Sequence, residues 1–129
     1  MAGKKKILII DDEESLGWFL KLNLEDKGAY EARFEKSGEA GIAAAREFKP
    51  DLILLDIAMP KLDGYQTCER IRKHPAAKNI PVLFLSGKEL LPEKIAEHCQ
   101  NIGLCGFIGK PFTLEALIKK IEELSRSGR

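Results

Sequence analysis

Five polar side chains in this sequence could together carry out phosphoryl chemistry. Asp11 and Asp12 are adjacent, and Asp56, Ser86 and Lys110 each lie at the end of a short apolar run farther along the chain. Carboxylate oxygens are hard ligands that suit Mg²⁺, although this ion commonly takes only one or two carboxylates directly. A carboxylate can also attack phosphorus to give an acyl phosphate. An amine can neutralise charge on the phosphoryl oxygens, and a hydroxyl can donate a hydrogen bond to one of them.

Asp11 and Asp12 open a block of four consecutive acids that ends at Glu14. Two like charges about 4 Å apart repel by about 1 kcal/mol in water, and by several times more at an effective dielectric constant of about 20. A bound cation would offset this repulsion. Glu13 and Glu14 have another interpretation, because acids in the first turn of a helix interact favourably with its dipole. We expect the two aspartates to serve the site and the two glutamates to start a helix.

Five segments predict the strands that must position these side chains. Residues 7–10, 52–55 and 82–85 are short and almost continuously apolar, as in strands that are buried on both faces. Residues 29–35 alternate apolar and charged side chains, the pattern of a strand with one wet face or at a sheet edge. Residues 104–108 form a weaker run that contains a glycine and suits the opposite edge. The three apolar segments are therefore predicted to be central.

Amphipathic segments between these runs predict five helices. The first helix is indicated by the apolar stripe Leu16, Phe19, Leu20 and Leu24 and is expected to stop at Gly28, and the second covers residues 38–48 and ends before Pro50. The third is indicated by Tyr65, Cys68 and Ile71 and ends near Pro75, and the fourth begins at about Pro92 and turns Ile95, Cys99 and Ile102 inward. The fifth has the clearest stripe, which consists of Leu114, Leu117, Ile118, Ile121 and Leu124. Thr113 is the predicted N-cap of the last helix. A polar tail over residues 125–129 is expected to follow it.

Strictly alternating strands and helices predict an α/β fold, a doubly wound five-stranded parallel sheet with helices on both faces. With the first, third and fourth strands central, the burial pattern fits the order 2-1-3-4-5 of flavodoxin-like folds. In such sheets, ligands bind outside the carboxyl ends of the strands, where the strand order reverses. The three aspartates, Ser86 and Lys110 are all predicted to meet at that rim.

Composition limits the classes of protein to consider. The 129 residues are 44% hydrophobic and 32% charged, which fits a single globular domain over residues 1–129 with a core at about 5–124. The net charge of +1 gives no reason to expect nucleic-acid binding, and no segment reaches the length that crosses a membrane. We see no repeat and no output domain in the sequence, and we expect a monomer or weak dimer.

Three cysteines, Cys68, Cys99 and Cys105, are too few for a disulfide scaffold and cannot all pair within one chain. They predict a reducing, cytoplasmic environment and buried thiols that pack as small hydrophobic groups. His98 with Cys99 and Cys105 could form part of a zinc site, but no CxxC pair completes it. We therefore favour buried thiols over a metal site.

Four motifs occur together in the order and at the spacing of a known family. They are Asp11-Asp12 after the first predicted strand, PDLILLDIAMPKLDG at residues 50–64, LFLSG at residues 83–87 and FIGKPF at residues 107–112. Any one of them alone would be weak support. Together they make the chain, from about residue 5 to about residue 124, resemble a response-regulator receiver domain of the chemotaxis-Y type, a module of two-component signalling.

This resemblance implies roles for the rim residues. Asp56 would be the phosphoacceptor, and Asp12 and Asp56 would bind Mg²⁺ through their side chains. Asp11 would act mainly through a bound water, and Ala58 would offer its backbone carbonyl to the metal. Lys110 would contact the phosphoryl group.

The resemblance also implies a switch and two kinds of partner. Ser86 would close on a phosphoryl oxygen while Phe107 turns inward, which alters the face made by the fourth helix, the fifth strand and the fifth helix. Because Phe107 has no hydroxyl to satisfy, we expect it to favour the inward position. The phosphoryl donor would be a phosphohistidine on a histidine kinase or phosphotransfer protein, and the output would be control of a downstream protein.

Two other functions are the alternatives. Haloacid-dehalogenase phosphatases carry an aspartate nucleophile after the first strand and a second acid two residues later, whereas Asp56 belongs to the third predicted strand and Ala58 takes the second position. A receiver that no longer accepts phosphate could act purely as a docking module. Retention of the three aspartates, Ser86 and Lys110 favours a working receiver, which modifies itself and is not an enzyme acting on an external substrate.

Overall fold

The computed structural model describes residues 3–87, 92–102 and 104–127, in which five strands alternate with five helices. The strands are β1 Lys5–Ile10, β2 Tyr30–Glu35, β3 Leu52–Asp56, β4 Val82–Ser86 and β5 Cys105–Gly109. The helices are α1 Glu14–Asp26, α2 Gly38–Phe48, α3 Gly64–Arg72, α4 Pro92–Ile102 and α5 Leu114–Ser127, and a 3-10 turn, Pro75–Ala77, precedes β4.

The strands form one parallel sheet in the order β2-β1-β3-β4-β5, which confirms the predicted α/β fold and strand order. In the register, Ile7 of β1 lies opposite Ala32 of β2 on one side and Leu52 of β3 on the other. The strand order therefore reverses beside β1. Because the crossovers leave in opposite directions there, a crevice opens outside the carboxyl ends of β1 and β3.

Burial confirms which strands are central. All residues of β3 and β4 are buried, as is the apolar part of β1. In β2, Tyr30 and Ala32 are buried while Glu31 between them is exposed, and β5 is mostly half-buried. This difference follows from position, because a central parallel strand is covered by helices on both faces and an edge strand is covered less completely.

Two hydrophobic layers cover the two faces of the sheet. Leu8 and Ile10 of β1 point into the layer made with α2, α3 and α4, whereas Ile7 and Ile9 point into the layer made with α1 and α5. Successive side chains of a strand point to opposite faces, so four apolar residues in a row serve both layers. None of the described helices combines the length and the apolar composition needed to cross a bilayer.

Capping side chains set where several helices begin. Ser37 accepts a hydrogen bond from the Ala40 backbone N–H at 3.1 Å, and Thr113 is the N-cap of α5, as predicted. Asp63 and Gln66 form a reciprocal capping box at the start of α3. Each cap satisfies a backbone N–H that has no partner within its helix, and contributes about 1 kcal/mol. The capping box is important for the site because α3 begins directly after the loop that follows Asp56.

The structure corrects two helix predictions. Phe19 is not part of the buried stripe of α1, because its side chain is 52% exposed, whereas Leu20 and Leu24 are fully buried. The buried residues of α1 lie on one face of the helix, and Phe19 lies outside that face, as does Leu22. The predicted tail also begins too early, since α5 continues to Ser127.

The structure also corrects the prediction for two of the cysteines. Cys99 of α4 and Cys105 of β5 form a disulfide with a Cα–Cα distance of 5.3 Å, so they are not separate thiols. Their sulfurs are bonded to each other, so the predicted free thiols are wrong at these two positions, and the zinc site with His98 that we did not favour is not formed. Cys68 is a buried free thiol, as predicted.

Candidate functional site

The carboxyl ends of four strands bring the predicted site residues to one rim of the sheet. Asp11 directly follows β1, Asp56 is the last residue of β3, Ser86 is the last residue of β4, and Lys110 directly follows β5. In the sheet register, Asp56 lies opposite Leu85, one residue before Ser86. Parallel strands all end at the same edge, so side chains far apart in sequence are collected there.

Three carboxylates form a compact acidic cluster at this rim. Asp11, Asp12 and Asp56 each place one oxygen so that all three lie within 4.8 Å of one another. Asp11 and Asp56 are 0% and 4% exposed, whereas Asp12 is open to solvent. In the described part of the chain, no other group of three His, Cys, Asp or Glu side chains comes this close. Hard oxygen donors at this spacing fit a divalent cation such as Mg²⁺.

Lys110 is the cation that the fold supplies to the cluster. Its Nζ donates a hydrogen bond to Asp11 Oδ2 at 2.9 Å and lies 3.3 Å from Asp56 Oδ1. Its backbone N–H donates to the Ser86 carbonyl oxygen at 2.6 Å, which holds the base of the side chain against β4. The peptide bond to Pro111 is cis. Lys110 therefore bridges two of the three carboxylates.

Asp11 uses both of its carboxylate oxygens within the protein. Oδ1 accepts the Glu13 backbone N–H at 2.9 Å, and Oδ2 accepts Lys110 Nζ. Glu13 is the N-cap residue of α1, so Asp11 joins the start of that helix to the rim. The Glu13 side chain also reaches the site, with Oε1 3.6 Å from Lys110 Nζ. The sequence interpretation missed this contact, and the block of four acids was the available signal.

The electrostatics show that the cluster is short of positive charge. Burial, and after it the nearby Asp11 charge, raises the pKa of Asp56 to about 7, although Lys110 acts in the opposite direction. Burial alone would lower the pKa of Lys110, but its contacts with Asp11 and Asp56 outweigh that effect and raise it. Three carboxylates thus lie together at the rim, and the one ammonium group beside them contacts only Asp11 and Asp56 of the three. A second, divalent cation would favour the ionised form of Asp56.

The two predicted switch residues lie on neighbouring strands. Ser86 is buried, and its hydroxyl donates to the Ile108 carbonyl oxygen of β5 at 3.4 Å. Phe107 is half-buried, lies opposite Phe84 in the register, and packs against the layer made with α2, α3 and α4. Both side chains therefore have contacts on the β4–β5 side of the sheet.

The loop after Asp56 is held in place by the start of α3. The Ile57 backbone N–H donates to the Leu85 carbonyl oxygen at 3.1 Å, and the Ile57 carbonyl oxygen accepts the Gly64 N–H at 2.8 Å. A Cβ at Gly64 would lie 2.5 Å from the Asp56 carbonyl oxygen, so only glycine permits this approach. Ala58 lies in this loop two residues after Asp56, with an exposed side chain.

Comparison with known sequences shows the family to which this chain belongs. A family model described as the response regulator receiver domain matches residues 7–122. The chain is 40% identical to the transcriptional regulatory protein RprY of Bacteroides fragilis over 129 residues, which is 100% of this chain and 52% of that protein. It is 35% identical to the transcriptional regulator RpaA of Synechocystis over 94% of this chain and 49% of that protein. The chain thus spans about half the length of these curated relatives.

Solved structures show the same architecture. The chemotaxis protein CheY4 of Vibrio cholerae superposes with a TM-score of 0.86 at 30% identity, over 95% of this chain and 99% of that one. A putative response regulator from Chloroflexus aurantiacus gives a TM-score of 0.83 at 30% identity, over 95% and 98%. With a family model that matches residues 7–122 and solved structures that superpose over nearly the whole chain, this chain belongs to the response regulator receiver domains of two-component signalling.

Proposed function

We propose that this receiver accepts a phosphoryl group on Asp56 from a phosphohistidine of a histidine kinase or phosphotransfer protein. The observation that carries the proposal is the position of Lys110 Nζ, 2.9 Å from Asp11 and 3.3 Å from Asp56. It places a fixed ammonium group beside a buried carboxylate at the end of a central strand. This is the arrangement that a carboxylate nucleophile needs when the incoming group is itself anionic.

In the proposed transfer, an Asp56 carboxylate oxygen attacks phosphorus, the N–P bond of the phosphohistidine breaks, and the imidazole leaves. Only ionised Asp56 is a nucleophile, and its raised pKa of about 7 means that the ionised form must be favoured by a nearby positive charge. Lys110 supplies part of that charge and would contact a phosphoryl oxygen. Mg²⁺, when bound, would supply the rest and neutralise charge on the phosphoryl oxygens.

The residues that would hold Mg²⁺ are Asp12 and Asp56 through side-chain oxygens and Ala58 through its backbone carbonyl. Asp11 would contribute through a water, because its own oxygens already accept hydrogen bonds from Glu13 and Lys110. The donor set supports this assignment, since it consists of carboxylate oxygens within 4.8 Å of one another.

The output would follow from Ser86 and Phe107. In the form described here, the Ser86 hydroxyl donates to the Ile108 carbonyl oxygen of β5. On phosphorylation this hydroxyl would turn to a phosphoryl oxygen. The hydrogen bond between Ser86 and β5 would then be lost, which would change the packing around Phe107. We call the surface formed by α4, β5 and α5 the output face. Its altered shape would be read by a downstream protein.

The donor would approach over α1, which carries three exposed apolar side chains: Trp18, Phe19 and Leu22 are 55%, 52% and 72% exposed. Trp18 is held in position by an edge-to-face contact with Phe34, whose ring centroid is 5.3 Å away. Apolar side chains that are grouped on a surface commonly mark a protein interface. α1 begins two residues after Asp12, so a partner seated there would also reach the rim.

Phosphorylation can be tested with a small phosphodonor. The protein is incubated with Mg²⁺ and acetyl phosphate, and the intact mass is compared with that of Asp56→Asn and of Asp26→Asn, which removes an exposed acid at the end of α1. We expect one added phosphoryl group on the parent and on Asp26→Asn, and none on Asp56→Asn. A folded parent protein without added mass would contradict the proposal and favour a receiver that acts only by docking.

The switch can be tested with beryllofluoride, a phosphoryl mimic. We expect NMR shifts at the acidic rim and also on the output face, including Phe107. Shifts confined to the rim would indicate a receiver that binds phosphate without signalling.

A further inference from the structure

The Cys99–Cys105 disulfide joins two elements of the output face. Cys99 lies in α4 and Cys105 is the first residue of β5, six positions later in the chain, with a Cα–Cα distance of 5.3 Å. Both cysteines pack against the same hydrophobic layer as Phe107. Side chains two apart on a strand point to the same face, so Cys105 and Phe107 lie side by side under α4.

An aromatic group occupies the adjoining part of this layer. The ring of His98, next to Cys99 in α4, lies 4.3 Å from that of Tyr65 in α3 and 5.9 Å from that of Phe84 in β4. The disulfide at Cys99 therefore fixes α4 at a point where the adjacent residue, His98, contacts Phe84 of β4. Phe84 is the residue that lies opposite Phe107 in the sheet register.

The third cysteine is chemically separate from this pair. Cys68 is fully buried in α3, and burial raises the pKa of its thiol to about 11. The thiolate is the reactive form of cysteine, so Cys68 is protected from exchange and oxidation. Cys99 and Cys105, in contrast, are only half-buried.

We propose that Cys99 and Cys105 are a reversible redox pair that ties α4 to β5 when oxidised and thereby restrains the output face. This inference rests on the proposed function only for its signalling consequence. A tether between the two elements limits how far the C-terminal half of α4 can move away from β5. Phosphorylation of the rim would therefore change the output face less in the oxidised form than in the reduced form.

The chemistry balances with a peroxide as oxidant and a dithiol as reductant. On oxidation, two S–H bonds break and one S–S bond forms, and the two electrons and two protons reduce hydrogen peroxide to two molecules of water. On reduction, an external dithiol attacks the disulfide through a mixed disulfide, and is released as a disulfide while Cys99 and Cys105 become thiols.

The first test counts thiols on the full chain. After treatment with hydrogen peroxide or with dithiothreitol, the protein is denatured, alkylated with iodoacetamide and mapped by peptide mass. We expect alkylation of Cys68 alone in the oxidised sample and of all three cysteines in the reduced sample. Three alkylated cysteines after peroxide treatment, or a disulfide that dithiothreitol does not open, would overturn the reversible pair.

The second test measures the restraint without phosphorylation. Amide hydrogen exchange of α4 is compared between the oxidised and reduced protein, with Cys99→Ser/Cys105→Ser as the form that cannot bond and Cys68→Ala as a matched cysteine control. We expect exchange in α4 to be about tenfold slower in the oxidised parent and in oxidised Cys68→Ala, and to be insensitive to oxidant in the double variant. Equal exchange in the oxidised and reduced parent would overturn the restraint.

The signalling consequence is tested with beryllofluoride in both redox forms. We expect rim shifts of equal size in the two forms, and output-face shifts that are clearly larger in the reduced form. Output-face shifts of equal size would overturn the signalling consequence. If acetyl phosphate adds no mass while oxidation still slows exchange in α4, then the proposed function has failed and the redox pair stands.

Discussion

Lys110 Nζ lies 2.9 Å from Asp11 Oδ2, although the two residues are 99 positions apart in the chain. Lys110 follows β5 and Asp11 follows β1, and two strands lie between these in the sheet. The side chain therefore reaches along the rim, past the ends of β4 and β3, to a carboxylate that is fully buried. The charge balance at the rim therefore depends on a residue that is distant in the sequence from all three aspartates.

Removal of the Lys110 charge should destabilise the metal-free protein. Lys110→Met leaves the buried Asp11 and Asp56 carboxylates without their ammonium partner. We expect the free energy of unfolding in EDTA at neutral pH to fall by about 2 kcal/mol, measured by urea denaturation. Lys21→Met is the control, because its pair with Glu25 lies on the surface and should contribute about 0.5 kcal/mol or less. Equal losses in the two variants would contradict the structural role of Lys110.

Asp56→Asn should stabilise the metal-free protein in a pH-dependent manner. The pKa of Asp56 is raised from an ordinary 3.8 to about 7, so the folded state binds this proton more tightly than the unfolded state. Ionised Asp56 therefore reduces stability progressively as the pH rises from about 4 to about 7, and by a constant amount above that range. The advantage of Asp56→Asn over the parent should be absent near pH 4 and reach about 2–4 kcal/mol at pH 8 in EDTA.

The measurement is the difference in unfolding free energy between parent and Asp56→Asn across this pH range. Other titrating groups contribute to both proteins and largely cancel in the difference. A difference that is constant from pH 4 to pH 8 would show that Asp56 does not carry the raised pKa.

Mg²⁺ should stabilise the parent through the acidic cluster. A ligand that binds only the folded state adds about 2.7 kcal/mol at a concentration 100 times its Kd. We expect MgCl₂, at constant ionic strength, to raise the midpoint of thermal unfolding of the parent, and to do so much less for Asp12→Asn. Glu14→Gln removes a nearby acid that is outside the cluster, and should retain the full response. The same loss of response in both variants would indicate general charge screening instead of a defined site.

Gly64→Ala should disturb the loop after Asp56. The added Cβ would lie 2.5 Å from the Asp56 carbonyl oxygen and 2.7 Å from Ile57 Cα, and backbone atoms cannot move aside as a flexible side chain can. We expect a loss of about 2 kcal/mol or more in unfolding free energy and slower phosphorylation by acetyl phosphate. Gly109→Ala is the matched control beside Lys110, because no atom lies within 4 Å of its Cβ position. A neutral Gly64→Ala would show that α3 can retreat from β3.

Much of the fold was predictable because its signals are local. Apolar runs of strand length, interrupted by amphipathic helices, indicate the elements and the face that each one buries. Graded burial then separated central strands such as β3 from the alternating edge strand β2. Once the strand order was known, the residues after β1, β3, β4 and β5 had to share a rim. The acidic cluster could therefore be placed from the sequence.

Only the tertiary structure decided the contacts that depend on how each helix is oriented against the sheet. The rotation of α1 leaves Phe19 exposed, and the path of α4 into β5 brings Cys99 within bonding distance of Cys105. The reach of Lys110 to Asp11 likewise depends on the twist and packing of the whole sheet. Sequence periodicity indicates the direction in which each side chain points. The distance between two side chains that are far apart in the chain depends on every loop and packing contact between them, and no local pattern in the sequence contains that information.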